Sequence, residues 1–173
     1  MSILKPITIL VGEAPGYQGC RLSGIPFTSE YIILNGLPGC EIFGNRIGYA
    51  KSVEFDRIKK EPSATIVWNT LINYHPLPLI WSAYPFHPHN PGNLNSNRKP
   101  RKDEMEIGLP ILEEIINLFT IKELIAIGNA AAEQLSRLNL NFVKVRHPSH
   151  GGKPEFVKGI NNILKPKRIV KIV

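Results

Sequence analysis

The chain has 173 residues, 43% of them hydrophobic and 20% charged, with a formal net charge of +7. This length and composition predict one globular domain, residues 1–173, with a sizeable core. No apolar run reaches transmembrane length and the N-terminus lacks the layout of a signal peptide, which argues against membrane and secreted classes. We therefore expect a cytoplasmic protein that makes no membrane contact and acts as a monomer.

The positive charge is concentrated towards the C-terminus. Between residues 141 and 173, eight basic residues accompany one acid, Glu155, so this segment accounts for the whole net charge. A second basic cluster lies mid-chain and consists of Arg98, Lys99, Arg101 and Lys102. Such clustering favours a polyanionic partner through neutralisation of phosphates, although a solvated basic tail has the same composition.

The first pattern is an apolar, β-branched run over residues 7–11, which predicts a buried strand. The chain then turns at Gly12, Pro15 and Gly16, which extend a strand poorly. This turn carries Glu13 at the carboxyl end of the predicted strand, where open parallel sheets bind their ligands. Glu13 is therefore a candidate catalytic carboxylate. An ordinary surface acid beside a routine turn is an equally good interpretation of the same residue.

The next patterns are short. Residues 17–28 are Gly-rich and predict a loop, followed by a helix over residues 30–35 that Thr28 or Ser29 can cap. In that loop Phe27 offers a ring for stacking on a planar ligand, but the residue considered alone favours core packing. Residues 40–60 are weakly patterned and predict a loop with at most one helical turn.

From residue 64 onwards, helical and strand patterns alternate. Helices are predicted over residues 64–74, 103–119, 130–138 and 155–164, with Pro110 as a candidate kink, and strands over 79–83, 123–127 and 142–145. A long Pro-rich loop occupies residues 84–100, and a loop of this length in a compact domain is usually functional or mobile. The alternation predicts an α/β fold with three layers: a four-stranded, mainly parallel sheet with helices on both faces. Three loops then converge at one sheet edge, after Val11, Ser82 and Val145.

The last of these loops contains the segment Arg146-His147-Pro148-Ser149. A histidine fixed before a proline at a strand end, within a basic segment, is a candidate functional group. His147 facing Glu13 across a cleft would suit acid–base or electrostatic catalysis.

Metal sites are disfavoured by the sequence. His87 and His89 have the spacing of metal ligands, but no third ligand is evident, so a polar role in the loop is favoured. Cys20 and Cys40 cannot supply the four ligands of an iron–sulfur cluster or a structural zinc site. They are interpreted as free thiols in a reducing compartment, and no metal or other cofactor is predicted.

Together these motifs resemble the uracil-DNA glycosylase superfamily. Residues 12–16 reproduce the Gly-Glu-Ala-Pro-Gly first motif of one branch, residues 24–27 are similar to its Gly-x-Pro-Phe segment, and residues 147–149 to its His-Pro-Ser motif. Residues 83–88, followed by Asn97 and Arg98, are similar to the strand and Pro-rich loop between those motifs. The order agrees as well, so the resemblance covers nearly the whole chain and implies the superfamily's fold without an iron–sulfur cluster.

The resemblance implies a monofunctional DNA glycosylase of base-excision repair. Such an enzyme hydrolyses the N-glycosidic bond of uracil, or of a related deaminated base, after flipping the nucleotide out of DNA. Glu13 would activate the water and stabilise the cationic sugar, and His147 would stabilise the charge that grows on a base carbonyl. The implied substrate-binding residues are Gly12, Ala14, Pro15, Gly16, Phe27 and Ser82, with the Phe27 ring stacked on the base.

The same resemblance implies a DNA surface around the last loop. Its residues are Lys144, Arg146, Ser149, His150 and Lys153, with His150 as a candidate wedge into the duplex. Contacts with phosphates carry little sequence information, so binding is expected to depend on damage rather than on sequence.

One departure from the family pattern concerns Ser82, which stands where many members have an asparagine that hydrogen bonds to uracil. A hydroxyl offers fewer hydrogen bonds than a planar amide, which leaves room for another deaminated base or for low activity. The main alternative is therefore a catalytically weak or inactive nucleic-acid-binding protein with the same fold. A hydrolase of free nucleosides or nucleotides is a third alternative, and the basic C-terminal segment argues against it. The sequence leaves open which base is excised and whether single or double strands are preferred.

Overall fold

A computed structural model describes residues 6–38 and 40–164 of the chain. Its strands are β1 (Thr8–Gly12), β2 (Leu79–Ser82), β3 (Glu123–Ile127) and β4 (Val143–Val145). Its helices are α1 (Cys20–Ser23), α2 (Glu30–Asn35), α3 (Pro62–Leu71), α4 (Lys102–Leu118), α5 (Asn129–Arg137) and α6 (Lys153–Ile163), and a 3₁₀ turn covers Asn45–Ile47. Within these described ranges, no helix combines the length and apolarity needed to cross a membrane.

The four strands form one sheet in the order β2-β1-β3-β4, and all three pairings are parallel. The predicted α/β fold with a four-stranded parallel sheet is therefore confirmed. Strand β1 lies between β2, the next strand along the chain, and β3, so the direction of the connections reverses beside β1. Such a reversal opens a crevice at the carboxyl ends of the strands, and ligands bind there in open α/β sheets.

Side chains alternate between two apolar layers along each strand, as the two-residue period of a strand requires. In β1, Ile9 and Val11 pack on the face covered by α4 and α5, whereas Leu10 packs on the face covered by α2, α3 and α6. All three side chains are fully buried. These two layers enclose the sheet and fix the three-layer architecture.

Two local expectations were wrong. The segment over residues 17–28 contains the short helix α1. The Gly16 carbonyl accepts the N–H groups of Gly19 and Arg21 at its start, and the helix ends at Gly24, where φ is 70°. Neither Thr28 nor Ser29 caps α2 with its side chain. Thr28 Oγ1 is occupied instead, since it accepts a hydrogen bond from Trp68 Nε1 at 2.9 Å and donates to the Pro26 carbonyl.

Helix α4 packs tightly against the end of β2. A Cβ at Gly108 would overlap the Ala83 carbonyl oxygen and come within 3.1 Å of its carbon, so only glycine allows this approach. The helix continues past Pro110 to Leu118. This packing holds the start of the long loop after β2 against the sheet edge.

An ion pair fixes the far end of that loop. Arg98 and Glu104 form a bidentate pair with N–O distances of 2.6 and 2.7 Å, and the Arg101 N–H donates to the same carboxylate at 2.7 Å. Arg98 Nε also donates to the His89 carbonyl at 2.8 Å. The hydrogen bonds from Arg98 lower the pKa of Glu104 to about 2.

Replacing this carboxylate is expected to destabilise the fold at neutral pH. Glu104→Gln weakens the bidentate pair and should lower Tm by roughly 3–6 °C at pH 7. Because the folded pKa lies below the ordinary value, the stabilisation is present above about pH 4.3 and disappears as pH falls towards 2. Thermal unfolding of both proteins at several pH values checks this, with the exposed Glu114→Gln as control. A Tm difference that did not shrink at low pH would contradict it.

Candidate active site

A cavity of about 600 Å³ opens at the carboxyl edge of the sheet. Its walls come from the segments that follow all four strands: residues 13–16 after β1, Ser82 at the end of β2, residues 127–130 after β3, and residues 144–150 around the end of β4. The crevice expected from the strand order is therefore present, and its volume falls in the usual range of ligand sites.

This cavity brings together the two candidate catalytic side chains and the candidate stacking ring. Glu13, His147 and Phe27 all line it, although they come from three distant parts of the chain. The Phe27 and His147 rings lie 5.9 Å apart between centroids with an interplanar angle of 39°. An acid, an imidazole and an aromatic wall thus line the same cavity.

Glu13 is partly buried at the point where β1 ends. Its backbone carbonyl accepts the Tyr84 N–H at 3.0 Å, so the turn is tied to the segment after β2. Burial raises the pKa of the Glu13 carboxyl above its ordinary value, and the nearby positive charge of Lys99 opposes part of that increase. A carboxylate with a raised pKa is a better proton acceptor, as a general base requires.

The neighbouring Ser149 fixes the tautomer of the neutral His147 ring. The Ser149 backbone N–H donates to His147 Nδ1 at 3.2 Å, and the Ser149 hydroxyl lies 2.7 Å from the same nitrogen. Since a backbone N–H can only donate, Nδ1 is the acceptor and Nε2 carries the proton of the neutral ring. Burial lowers the pKa of His147, and the charges of Arg146 and His150 lower it further. His147 is therefore a neutral hydrogen-bond donor through Nε2.

Phe27 lies directly over the end of β1. A Cβ at Gly12 would overlap the Phe27 ring and come within 2.6 Å of its Cζ, so Gly12 leaves the space that the ring occupies. The backbone at Phe27 is left-handed, with φ of 49°, which is uncommon for a bulky residue. The ring packs against the core on one side and lines the cavity on the other, so core packing and stacking are compatible.

Hydrogen bonds hold this strained turn in place. Ser23 Oγ accepts the Ile25 N–H at 3.1 Å and donates to the Thr28 carbonyl at 2.6 Å. Thr28 Oγ1 in turn is fixed by the buried Trp68 indole N–H. These hydrogen bonds involve residues on both sides of Phe27 and hold it in its strained left-handed conformation.

Ser82 is buried and lines the cavity beside the first turn. The register pairs it with Gly12, and the following Ala83 N–H donates to the Gly12 carbonyl at 2.8 Å. The position therefore borders the predicted base site, but it supplies one hydroxyl where an amide would supply a donor and an acceptor.

The cavity includes most of the predicted residues and leaves out two. Those that line it, besides the ones above, are Ala14, Pro15, Gly16, Lys144, Arg146, Ser149 and His150. Gly12 lies behind the Phe27 ring, and Lys153 lines a neighbouring groove between α3 and α6. The basic residues from Lys165 onwards lie outside the described residues.

Several polar residues of the cavity had not been assigned to the site from the sequence: Glu61, Asn97, Lys99 and Asn129. Glu61 immediately precedes α3, and a helix that leads into a parallel strand begins at the carboxyl edge of the sheet. That topological rule could have placed Glu61 at the site. Asn97 and Lys99 come from the long loop, whose path no periodic pattern predicts.

The histidines of the long loop organise the loop itself. His87 Nε2 donates to the Ser96 carbonyl at 2.9 Å, and the His87 and His89 rings stack with centroids 5.6 Å apart. Over residues 6–38 and 40–164, no group of three or more His, Cys, Asp or Glu side chains is arranged to hold a metal ion. Cys20 and Cys40 are both free thiols.

Comparisons with known proteins agree with this architecture. The family model described as the uracil DNA glycosylase superfamily matches residues 4–165. Among solved structures, the crystal structure of wild-type SMUG2 from Pedobacter heparinus superposes with a TM-score of 0.61 at 17% identity, covering 91% of this chain and 74% of that one. At this identity the likeness shows a shared fold. No curated protein matches the chain.

Proposed function

The chain belongs to the uracil DNA glycosylase superfamily, and from this premise we propose that it is a monofunctional DNA glycosylase acting on uracil or a related deaminated base. The proposal rests chiefly on one observation: Glu13, His147 and Phe27 share a single cavity at the sheet edge. The basic side chains of Lys99, Lys144 and Arg146 line the same cavity, which suits a phosphate backbone beside it.

In the proposed reaction the target nucleotide leaves the base stack and its base enters the cavity against the Phe27 ring. The glycosidic bond breaks, its electron pair passes to the base, and His147 Nε2–H donates to the carbonyl oxygen that gains charge. Water bonds to the cationic sugar carbon, and the Glu13 carboxylate accepts the water proton. The leaving base ends as the neutral free base after protonation from solvent.

The test is release of free base from oligonucleotides that carry one uracil, in single- and double-stranded form, with a thymine-containing oligonucleotide as control. We expect free uracil and an alkali-labile abasic site from the uracil substrate only, at a rate that falls as salt screens the phosphate contacts. Absence of release from uracil-, hypoxanthine- and xanthine-containing DNA would refute the glycosylase proposal.

The fall of the rate at acid pH is expected to follow the protonation of Glu13 in this cavity. Glu13 must be ionised, so the rate should fall as pH drops through its raised pKa. Because the charge of Lys99 lowers that pKa, Lys99→Gln should move the acid limb to higher pH. Single-turnover rates across pH check this. An unmoved limb would contradict the assignment of that limb to Glu13.

A second candidate function is favoured by Ser82, which offers the base a single hydroxyl. In that case the protein binds nucleic acid without cleaving the glycosidic bond. Binding to uracil-containing DNA with no release, unchanged by Glu13→Gln or His147→Ala, would select this function over the first.

A further inference from the structure

One corner of the cavity contains polar groups to which the mechanism above gives no role. Glu61 and Asn97 approach Gly16 from different chain segments, and all three line the cavity. A Cβ at Gly16 would lie 3.0 Å from Glu61 Oε1 and 3.8 Å from Asn97 Nδ2. Because Gly16 has no side chain, the Glu61 carboxyl and the Asn97 amide both approach its backbone inside the cavity.

The Glu61 carboxyl is placed there by the fold. A Cβ at Gly19 would overlap Glu61 Oε2 and lie 2.7 Å from its Cδ, so the carboxyl fills the space of a side chain at that position. The segment before Glu61 is anchored by the buried Glu30, which accepts the N–H groups of Ser52 at 2.7 Å and Lys59 at 3.1 Å. This anchoring fixes the backbone two residues before Glu61.

Within the described residues, the Glu61 carboxyl makes no hydrogen bond or ion pair, although it is partly buried. Burial raises the pKa of this carboxyl above its ordinary value. Such a group gains most from a ligand that donates an N–H to it. Its charge would repel a phosphate, which disfavours the DNA backbone as the occupant of this corner.

The orientation of the Asn97 amide is also defined. The Tyr17 backbone N–H donates to Asn97 Oδ1 at 2.9 Å, and His87 Nε2 lies 3.3 Å from the same oxygen. A backbone N–H needs an acceptor, so the atom near Tyr17 is the oxygen and Nδ2 faces Gly16. Nδ2 makes no hydrogen bond in the described part of the chain and is free to donate.

We propose that Glu61 and Asn97 together recognise the flipped base, with Asn97 Nδ2 donating to a ring carbonyl and Glu61 accepting the adjacent ring N–H. This assignment rests on the proposed glycosylase function and concerns selection by base edge: uracil, hypoxanthine and xanthine present this lactam edge, as thymine and guanine do, whereas cytosine and adenine do not. Cytosine and adenine present an amino group where the lactam has its carbonyl, so two donors would face each other at Asn97. Because the sugar fixes the orientation of the base, the order of donor and acceptor decides the selection.

The test compares Glu61→Leu, Glu61→Gln and Asn97→Ala, with Glu41→Gln, an exposed acid outside the cavity, as control. We expect Glu61→Leu and Asn97→Ala each to slow uracil release by about 10- to 100-fold, because each leaves a base polar group unpaired. Glu61→Gln keeps an acceptor oxygen and should retain most of the rate. Thermal unfolding of each variant shows whether it is folded.

A binding measurement separates recognition from catalysis. In the Glu13→Gln background, affinities are measured for oligonucleotides with uracil or cytosine at one position. We expect preference for uracil, reduced by about tenfold or more when Glu61→Leu is added. If Glu61 had a purely structural role, Glu61→Leu would weaken binding of both oligonucleotides equally and leave the ratio of their affinities unchanged.

The outcomes distinguish the two proposals. If the wild-type protein releases uracil and the folded Glu61→Leu and Asn97→Ala variants keep its rate and its binding ratio, this inference is overturned and the glycosylase function stands. If no base is released but the binding preference exists and depends on Glu61, the inference stands and the glycosylase function fails. If neither release nor a Glu61-dependent preference is found, both are overturned.

Discussion

Glu13→Gln is expected to lower the single-turnover rate of uracil release by about 10²–10⁴-fold. The amide has nearly the shape of the carboxylate, but it can neither accept the water proton nor offset the positive charge of the sugar. Glu13 has a pKa raised by burial, and it lines the same cavity as the Phe27 ring. Quenched-flow or manual sampling of abasic-site formation, with enzyme in excess over DNA, measures the rate.

The control for this change is Glu114→Gln, which removes one exposed acid from α4 away from the cavity. It should leave the rate unchanged, and DNA affinity should be similar in all three proteins. A Glu13→Gln protein that released uracil at close to the wild-type rate would show that the reaction does not use this carboxylate, and the mechanism proposed above would have to be abandoned.

His147→Ala is expected to slow uracil release by about 10²–10³-fold, because it removes one preorganised donor to the leaving base. The neutral ring is aligned before substrate arrives, since Ser149 already occupies Nδ1 with its backbone N–H. Ser149→Ala removes only the hydroxyl contact to Nδ1 and should therefore have a smaller effect. Release rates for both variants under single-turnover conditions provide the comparison.

The matched control for His147→Ala is His75→Ala, an exposed histidine that does not line the cavity. Circular dichroism and thermal unfolding show whether the His147 variant retains the fold. An equal loss of rate in both histidine variants, or no loss in His147→Ala, would contradict the role of the imidazole.

Most of the fold was predictable because its determinants are local. The apolar β-branched runs of β1 and β3, and the alternation of helix and strand patterns, specify a parallel sheet. The two local errors have different causes. Helix α1 has only four residues, too few to show a periodic pattern, and the Thr28 hydroxyl accepts the N–H of the distant Trp68 indole instead of capping α2.

The site was predictable only in part. Glu13 and His147 follow recognisable strands, so the topology alone brings their loops to one edge. Glu61 could have been placed from the start of α3, but Asn97 enters from the long loop, whose path depends on side-chain contacts such as its hydrogen bond from Tyr17. Such contacts join residues far apart in sequence, and no periodic pattern reports them.

The contact between Gly12 and Phe27 makes the two positions mutually dependent. Since the ring occupies the volume where any other residue at position 12 would begin its side chain, a larger residue there requires the Phe27 ring to move or a smaller residue at position 27. Randomised libraries selected for folding should consequently enrich these positions as compensating pairs, large with small. Keeping the Phe27 ring in its present position therefore favours glycine as the last residue of the first strand.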